Sequence, residues 1–375
     1  MIESDVMRGD KRMTVRVLHV VTDMRRGGLE TMLMNYYRKI DRNKVQFDFL
    51  EHRQEESDYH REIKKMGGKI HRIPRLNPFS IHYKSALYEF FKDHPEYQIV
   101  HVHQDCLSSI ILKAAQKCGV KVRIAHSHSS NQDKNLKYLL KLYYMKKIPQ
   151  YATQLFACSE EAGKWMFCGA DFDVLNNAID AKRYIYSSEV RAKRRKEFGI
   201  EEDTIVVGHV GRFWYPKNHM FLLDIFQKIA DKTDAKLLLV GDGRLRADIE
   251  KKIQQLHLED KVILTGVRND VAELLQAMDV FVFPSIYEGL PVTIIEAQAA
   301  GLSCLISDKV PIECKKTDLV TQIDLDKPAE HWAENAIQVS ETERKDMYEE
   351  IEKSGYDIEK NAEELVDFYL KMGRD

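Results

Sequence analysis

The stretch Val280-Phe281-Val282-Phe283-Pro284-Ser285-Ile286-Tyr287-Glu288-Gly289-Leu290-Pro291-Val292-Thr293-Ile294-Ile295-Glu296 decides how the rest of the chain is read. Its first four residues form an unbroken apolar, β-rich run, the pattern of a strand buried on both faces of a parallel sheet. The strand ends at Phe283 in a Gly/Pro loop, and a helix opens near Pro291–Thr293, where proline suits the first turn. The free N–H groups of such a turn make an anion site. Glu288 falls in the loop and Glu296 about two helical turns further on, so both can face one ligand. Carboxylates beside an anion site are costly unless hydroxyls donate to them, and a sugar and a ribose carry such hydroxyls. A capped helix is the plainer reading; it accounts for Glu288 in part and for Glu296 poorly.

The same strand–turn–helix unit recurs on both sides. Downstream of residue 200, Thr204–Val210, Ala235–Val240, Lys261–Leu264, Val280–Phe283 and Ser303–Ile306 read as strands. The stretches His219–Ala230, Leu245–Gln255, Val271–Ala277 and Thr293–Ala300 read as the helices between them. Upstream, strands are expected at Val15–Val21, Val45–Leu50, Lys69–Ile73, Gln98–His103, Val120–Ala125 and Thr153–Ala157, with Leu29–Ile40 the first helix. The charged tail reads as helical over His331–Ile337, Glu341–Lys353 and Ile358–Met372. This alternation predicts an α/β protein with two Rossmann-like, doubly wound domains in tandem. They are expected at residues 1–178 and 179–355, with 356–375 a terminal helix. Two such units facing each other would form a crevice at the carboxyl ends of their strands, where ligands of open α/β sheets bind.

Bulk properties agree. A length of 375 residues, 44% of them apolar and 31% charged, suits two globular domains. No apolar run reaches the roughly 18 residues of a membrane span. Met1–Met13 lacks the apolar core of a signal peptide, which leads to the expectation of a cytoplasmic protein. The six cysteines include no C-x-x-C pair or zinc spacing and read as reduced thiols. The net charge of −2 hides a basic first half: residues 1–175 carry 29 Lys and Arg against 21 Asp and Glu, the remainder 28 against 38. That half either faces something anionic or attracts the acidic half.

Four further motifs sit just after strands. In Gly211-Arg212-Phe213-Trp214-Tyr215-Pro216-Lys217-Asn218, Arg212 and Lys217 flank a turn and can converge on a diphosphate, a fork and a point charge doing the work a metal does elsewhere. An exposed basic turn is the alternative. Arg25-Arg26-Gly27-Gly28-Leu29-Glu30 opens a helix with paired glycines, which suits either a phosphate loop or an ordinary turn. Ala125-His126-Ser127-His128-Ser129-Ser130 puts two histidines at a strand end, fit to hydrogen-bond sugar hydroxyls or a transferring oxygen. His101 and His103 end another strand, so a metal or a structural role stays open for the histidines, though no third ligand lies close to His126 and His128 in sequence. Gly241-Asp242-Gly243-Arg244-Leu245-Arg246 begins like a dinucleotide fingerprint, but Arg246 replaces its third glycine. Hydride transfer is therefore disfavoured, and a tight turn near a ligand is expected instead. Lys134–Lys147 mixes basic and aromatic residues at helical spacing, fit for an anionic membrane surface or a solvated helix face.

Together these motifs resemble the retaining family-four glycosyltransferases of the GT-B fold, and more narrowly the bacterial exopolysaccharide-type members. The resemblance runs from about Val15 to Asp318, and its most specific pieces are Glu288-x7-Glu296 and Gly211-Arg212-x4-Lys217-Asn218. It implies that Glu288 contacts the donor sugar and Glu296 the ribose, with Gly289 and Leu290 beside them. Arg212 and Lys217 then meet the diphosphate with Gly211, and Gly27 and Gly28 lie near the phosphates. Val267 and Arg268, in the turn Gly266–Val271, match the base-binding segment. His128 matches the histidine near the transferring sugar; His126 and His103 are further candidates for sugar or acceptor contact. The family pattern N-G-I-D appears as Asn177-Ala178-Ile179-Asp180, and alanine there restricts the backbone of the joint. The terminal helix is implied to cross back onto the first domain.

The expected function is transfer of a hexose or N-acetylhexosamine from a nucleotide sugar, a UDP-sugar foremost, to a saccharide or lipid-linked saccharide with retention of configuration. No cofactor, metal or nucleic acid is expected, and contact with the inner face of the membrane stays open beside the solvated-helix reading of Lys134–Lys147. The alternatives are a nucleotide-sugar epimerase of the same fold and a non-catalytic nucleotide-sugar-binding protein.

Overall fold

The structure is a computed structural model that describes residues 14–128 and 138–373. Met1–Met13, Ser129, Ser130 and the first part of Lys134–Lys147 lie outside these residues.

The chain packs as two units: one runs to Asn176 and resumes at Ile358, the other is Asn177–Asp357. Each is built on one all-parallel sheet. The first contains β1 (Val15–Val21), β2 (Val45–Glu51), β3 (Ile70–Arg72), β4 (Ile99–Val102), β5 (Val122–Ser127), β6 (Gln154–Ala157) and β7 (Asp173–Val174), in the order β3-β2-β1-β4-β5-β6-β7. The second contains β8 (Ile205–Val210), β9 (Ala235–Val240), β10 (Val262–Gly266), β11 (Val280–Phe283), β12 (Ser303–Ser307) and β13 (Val320–Ile323), in the order β10-β9-β8-β11-β12-β13. In each unit the strand order reverses beside the first strand, between β1 and β4 and between β8 and β11. Loops leaving neighbouring strands there turn to opposite faces, which opens a crevice at the carboxyl edge. The doubly wound, Rossmann-like α/β fold holds in both units.

Burial explains the strands. All of β11 is buried, and helices such as His219–Ala230 turn Leu222, Leu223, Ile225 and Phe226 onto the sheet. The helix Ile358–Met372 belongs to the first unit. There Tyr369 is wholly buried and Lys39 meets Glu359 at 3.2 Å. At the joint, Ile179 pairs with Asp357, so the two crossing points of the chain run side by side. Ala178 is buried with ordinary negative φ, so alanine is accommodated without strain.

Two expectations need correction. Of Glu341–Lys353 only Tyr348–Lys353 is helical. The extended part lets Arg344 reach in and donate to the carbonyls of Leu275, Gln276, Met278 and Ala300, the free ends of two helices. That gain outweighs the helical propensity of a charged stretch. The edge strand β13 was not anticipated, because two of its four residues are exposed and polar.

Candidate functional site

The β8 and β11 loops are joined at the second switch point. Ile286 donates its N–H to the Pro216 carbonyl at 2.8 Å, and Asn218 Nδ2 donates to the Pro284 carbonyl at 3.1 Å. Asn218 reaches that position with φ +54°, a left-handed conformation asparagine tolerates. This pairing sets Lys217 against the second loop: Nζ lies 2.8 Å from Oε1 of Glu288 and 4.5 Å from the centre of the Phe283 ring. The pair is close but off the angle of a hydrogen bond, so Glu288 Oε1 has no hydrogen-bond donor among the described residues. A Cβ at Gly211 would crowd His209 Nε2 at 3.1 Å and would touch Lys217 Cδ and Cε at an ordinary 3.4 Å.

Glu296 lies in the helix Val292–Ala299, and Glu288 in the loop four residues before that helix. Tyr184, from the short 3-10 turn Ala181–Tyr184, donates to Glu296 Oε1 at 2.8 Å. Burial raises the Glu296 carboxyl above its ordinary range, while the Tyr184 hydrogen bond opposes the rise. Tyr184 escaped the sequence reading because it follows the joint rather than a strand. Leu290 is half-buried, and a Cβ on exposed Gly289 would meet nothing within 4 Å, so the loop has open space beside it.

Arg212 and Lys217 have different surroundings. Arg212 is exposed, its guanidinium 5.7 Å from the Trp214 ring, and Arg244 approaches the same ring at 5.0 Å. Arg244 thus joins this basic edge from the loop after β9. The Gly-Asp-Gly turn that resembled a dinucleotide fingerprint serves loop packing. Gly241 has φ +139° and a Cβ there would fall 2.1 Å from the Gly211 carbonyl oxygen; at Gly243 it would fall 2.4 Å from that of Phe213. Beyond β10, Val267 is two-thirds exposed while Arg268 forks onto Asp270 at 2.8 and 2.6 Å, fixing the turn. Beneath the site His209 donates its Nδ1–H to the Val282 carbonyl at 2.9 Å, and its Nε2 has no hydrogen-bond partner among the described residues. Burial pushes His219 down to about 4 and holds His209 well below the ordinary imidazole range, so both are neutral.

The first switch point is built differently. The helix Gly28–Lys39 begins at Gly27, where a Cβ would lie 2.4 Å from Glu30 Oε2; a Cβ on Gly28 would meet nothing within 4 Å. Gly27 therefore makes room for a carboxyl group, and Gly28 faces open space. Burial pushes Glu30 up to about 7, with nearby Asp23 adding to the rise. Arg25 is held on Asp23 at 2.6 Å. Across β1, β4 and β5 stand His19, His101, His103, His126 and His128. His103 bridges His19 at 3.1 Å and His128 at 2.8 Å, and His101 meets the Tyr369 hydroxyl at 2.7 Å. The sequence lacked a third histidine near His126 and His128; the sheet supplies His103 from the neighbouring strand.

The family description "Glycosyl transferases group 1" matches residues 190–357, and "Glycosyltransferase Family 4" matches 26–183. Glycosyltransferase EpsF of Bacillus subtilis (strain 168) is 36% identical over 373 residues, covering 94% of this chain and 96% of its own. The capsular polysaccharide biosynthesis glycosyltransferase CapH of Staphylococcus aureus is 23% identical, covering 95% and 99%. Among solved structures, Anabaena HepE in complex with UDP and glucose superposes with a TM-score of 0.70 at 16% identity, covering 96% of this chain and 97% of that one. That last likeness concerns the fold, whereas the full-length kinship with EpsF and both family matches show that the chain belongs to the family-four glycosyltransferases of the GT-B fold, bacterial exopolysaccharide type.

Proposed function

We propose that this glycosyltransferase moves a hexose or N-acetylhexosamine from a nucleotide sugar, foremost a UDP-sugar, to a saccharide or lipid-linked saccharide in polysaccharide assembly, with retention and with no metal taking part in the transfer. The observation that carries the reading is Lys217 held 2.8 Å from Glu288 at the β8/β11 switch point. An ammonium held by one poorly aligned carboxylate can be re-partnered by a diphosphate, which offers more charge. Glu288 is then released to accept hydrogen bonds from sugar hydroxyls. Glu296, oriented by Tyr184, accepts from the ribose, and Arg212 adds a second cation to the leaving group. The bond from the anomeric carbon to the diphosphate oxygen breaks and the acceptor oxygen bonds the same face of that carbon. Its proton passes to the departing diphosphate. His128 is assigned a hydrogen bond to the transferring sugar, with His126 and His103 behind it. Full-length kinship with proteins named glycosyltransferases weighs against the epimerase and non-catalytic readings.

The lipid-linked clause draws on the first unit. No helix among the described residues is long and apolar enough to cross a membrane. A cleft of about 250 Å³ is edged by Lys84, Lys113, Lys117, Lys147, Tyr88 and Tyr143. Nearby Leu139, on the helix Tyr138–Met145, is 77% exposed. Cations with aromatic and apolar neighbours suit an anionic lipid surface. Anionic vesicles should sediment the protein at moderate salt and neutral vesicles should not; equal recovery with both removes this clause.

The deciding experiment supplies UDP-, GDP-, ADP- and dTDP-sugars with saccharide acceptors in the presence of EDTA and follows nucleoside diphosphate release and product anomer by NMR. Release that requires acceptor, with the donor's anomeric configuration kept, is expected. An altered sugar still attached to nucleotide would establish epimerisation, and binding without turnover would establish a non-catalytic role.

A further inference from the structure

The five histidines of the first unit share one face of its sheet. His19 on β1 is in register with His101 on β4, and His101 with Ile124 on β5. Side chains two residues apart on a strand point the same way, which brings His103 and His126 to that face as well. His128 follows β5 and is half-buried. Burial holds all five neutral: His19 and His128 are pushed down to about 3, and the other three fall well below the ordinary range. Neutral imidazoles are the form that binds metal.

Their nitrogens are poorly satisfied. Among the described residues His126 has no hydrogen-bond partner on either nitrogen, and His128 has none on Nδ1. A buried polar group left in that state destabilises the fold. A neutral His103 carries one proton; with it on Nε2 facing His19, its Nδ1 lone pair points at His128 Nε2. One ligand nitrogen from each of His103, His126 and His128 lies within 4.8 Å of the others. Tetrahedral zinc with bonds of roughly 2.0–2.1 Å needs such atoms roughly 3.4 Å apart. The 2.8 Å and 4.8 Å limits bracket that spacing.

We propose that His103, His126 and His128 form a binding site for a zinc-class divalent transition metal, with His19 as the outer partner that orients His103. Three imidazoles with a fourth position open suit zinc, cobalt, nickel or copper, and not magnesium or calcium. The metal takes the place of the proton between His103 Nδ1 and His128 Nε2; that proton moves to His128 Nδ1, so the imidazole stays neutral and no proton is lost. The trio His19, His101 and His103 meets the same distance, but it is wholly buried and His101 is engaged by Tyr369. His128 alone among the five is half-buried, which gives the chosen trio its way in. The site does not depend on the proposed transfer reaction. On that reading, however, an occupied site engages the side chain assigned to the transferring sugar and holds transfer off.

The test titrates chelator-stripped full-length protein with Co²⁺, follows its visible d–d absorption, and then adds Zn²⁺. One equivalent of Co²⁺ with an intense low-symmetry band, displaced by Zn²⁺, is expected. The band should vanish in His126→Phe and in His128→Gln, and persist in His209→Asn from the second unit. Zn²⁺ should raise the melting temperature of the wild type and leave that of His128→Gln unmoved. A wild type that gives no band, or a band that survives in His126→Phe or His128→Gln, overturns the proposal. If His126→Phe does not melt cooperatively, His128→Gln decides alone. A chain that binds Co²⁺ yet never releases nucleoside diphosphate would lose the proposed function and keep the metal site.

Discussion

Equivalent edges of the two sheets carry opposite chemistry. At β8 and β11 the loops and the helix that follows bring up ionisable groups: Lys217 on Glu288, Glu296 under Tyr184, and Arg212 beside Trp214. At β1, β4 and β5 the strands and the residues just after them carry five histidines, all neutral, several with nitrogens that lack partners among the described residues. The fold thus supplies a crevice, and the side chains decide what it holds. A charged edge answers a diphosphate; a neutral imidazole edge answers hydroxyls or a soft cation. The two should also fail differently. Charged pairs are lost one by one through mutation, whereas a set of neutral histidines is lost together as pH falls.

Acid should therefore separate the units most strongly. A histidine whose folded pKa is depressed stabilises the fold above its unfolded value near 6.5, and that contribution is lost as pH falls towards the folded pKa, near 4 or 3 here. Each imidazole kept neutral costs about 2 kcal/mol between pH 6.5 and pH 5. The first unit has six strongly depressed histidines, the five in the stack and His52; the second has His209 and His219. Hydrogen exchange at pH 5 should show β1, β4 and β5 losing protection before β8 and β11. Simultaneous loss would remove the contrast.

Lys217→Ala tests the charged edge. With the diphosphate's counter-charge gone, turnover should fall about 10²–10³-fold, as when one preorganised donor is removed from a transition state. Near-normal turnover would free Lys217 of that role. Tyr184→Phe should act more mildly, lowering stability by about 1–2 kcal/mol and weakening donor binding, because Glu296 loses its donor while half-buried. A denaturant midpoint measured with and without UDP reads both effects.

Much of this contrast was legible in the sequence, and what was hidden has physical reasons. Buried parallel strands announce themselves as apolar runs, so Val15–Val21 and Val280–Phe283 stand where their composition puts them. Loop motifs are contiguous, so Lys217 and Glu288 could each be singled out, yet their pairing needed β8 and β11 to be neighbours. The histidine stack draws on three strands 25 and more residues apart, and no local pattern marks His19 as their companion. Arg344 misled the helical reading because a buried guanidinium capping two distant helices leaves no local trace.

Glu30 runs against its own unit and gives the smallest test. It is an acid whose folded pKa is raised, from an ordinary value of 4.5 up to about 7. Its contribution is complete below pH 4.5 and is lost as pH rises through 7, the opposite direction from the histidines. Glu30→Gln keeps the shape of the protonated carboxyl and cannot ionise. It should leave stability at pH 5 nearly unchanged and raise it at pH 8 by about 1–2 kcal/mol, after discounting for the partial exposure of the side chain. Urea midpoints at the two pH values measure this directly. An equal gain at both would mean that the carboxyl is already charged at pH 5, and that the room Gly27 makes is filled by an anion before any ligand arrives.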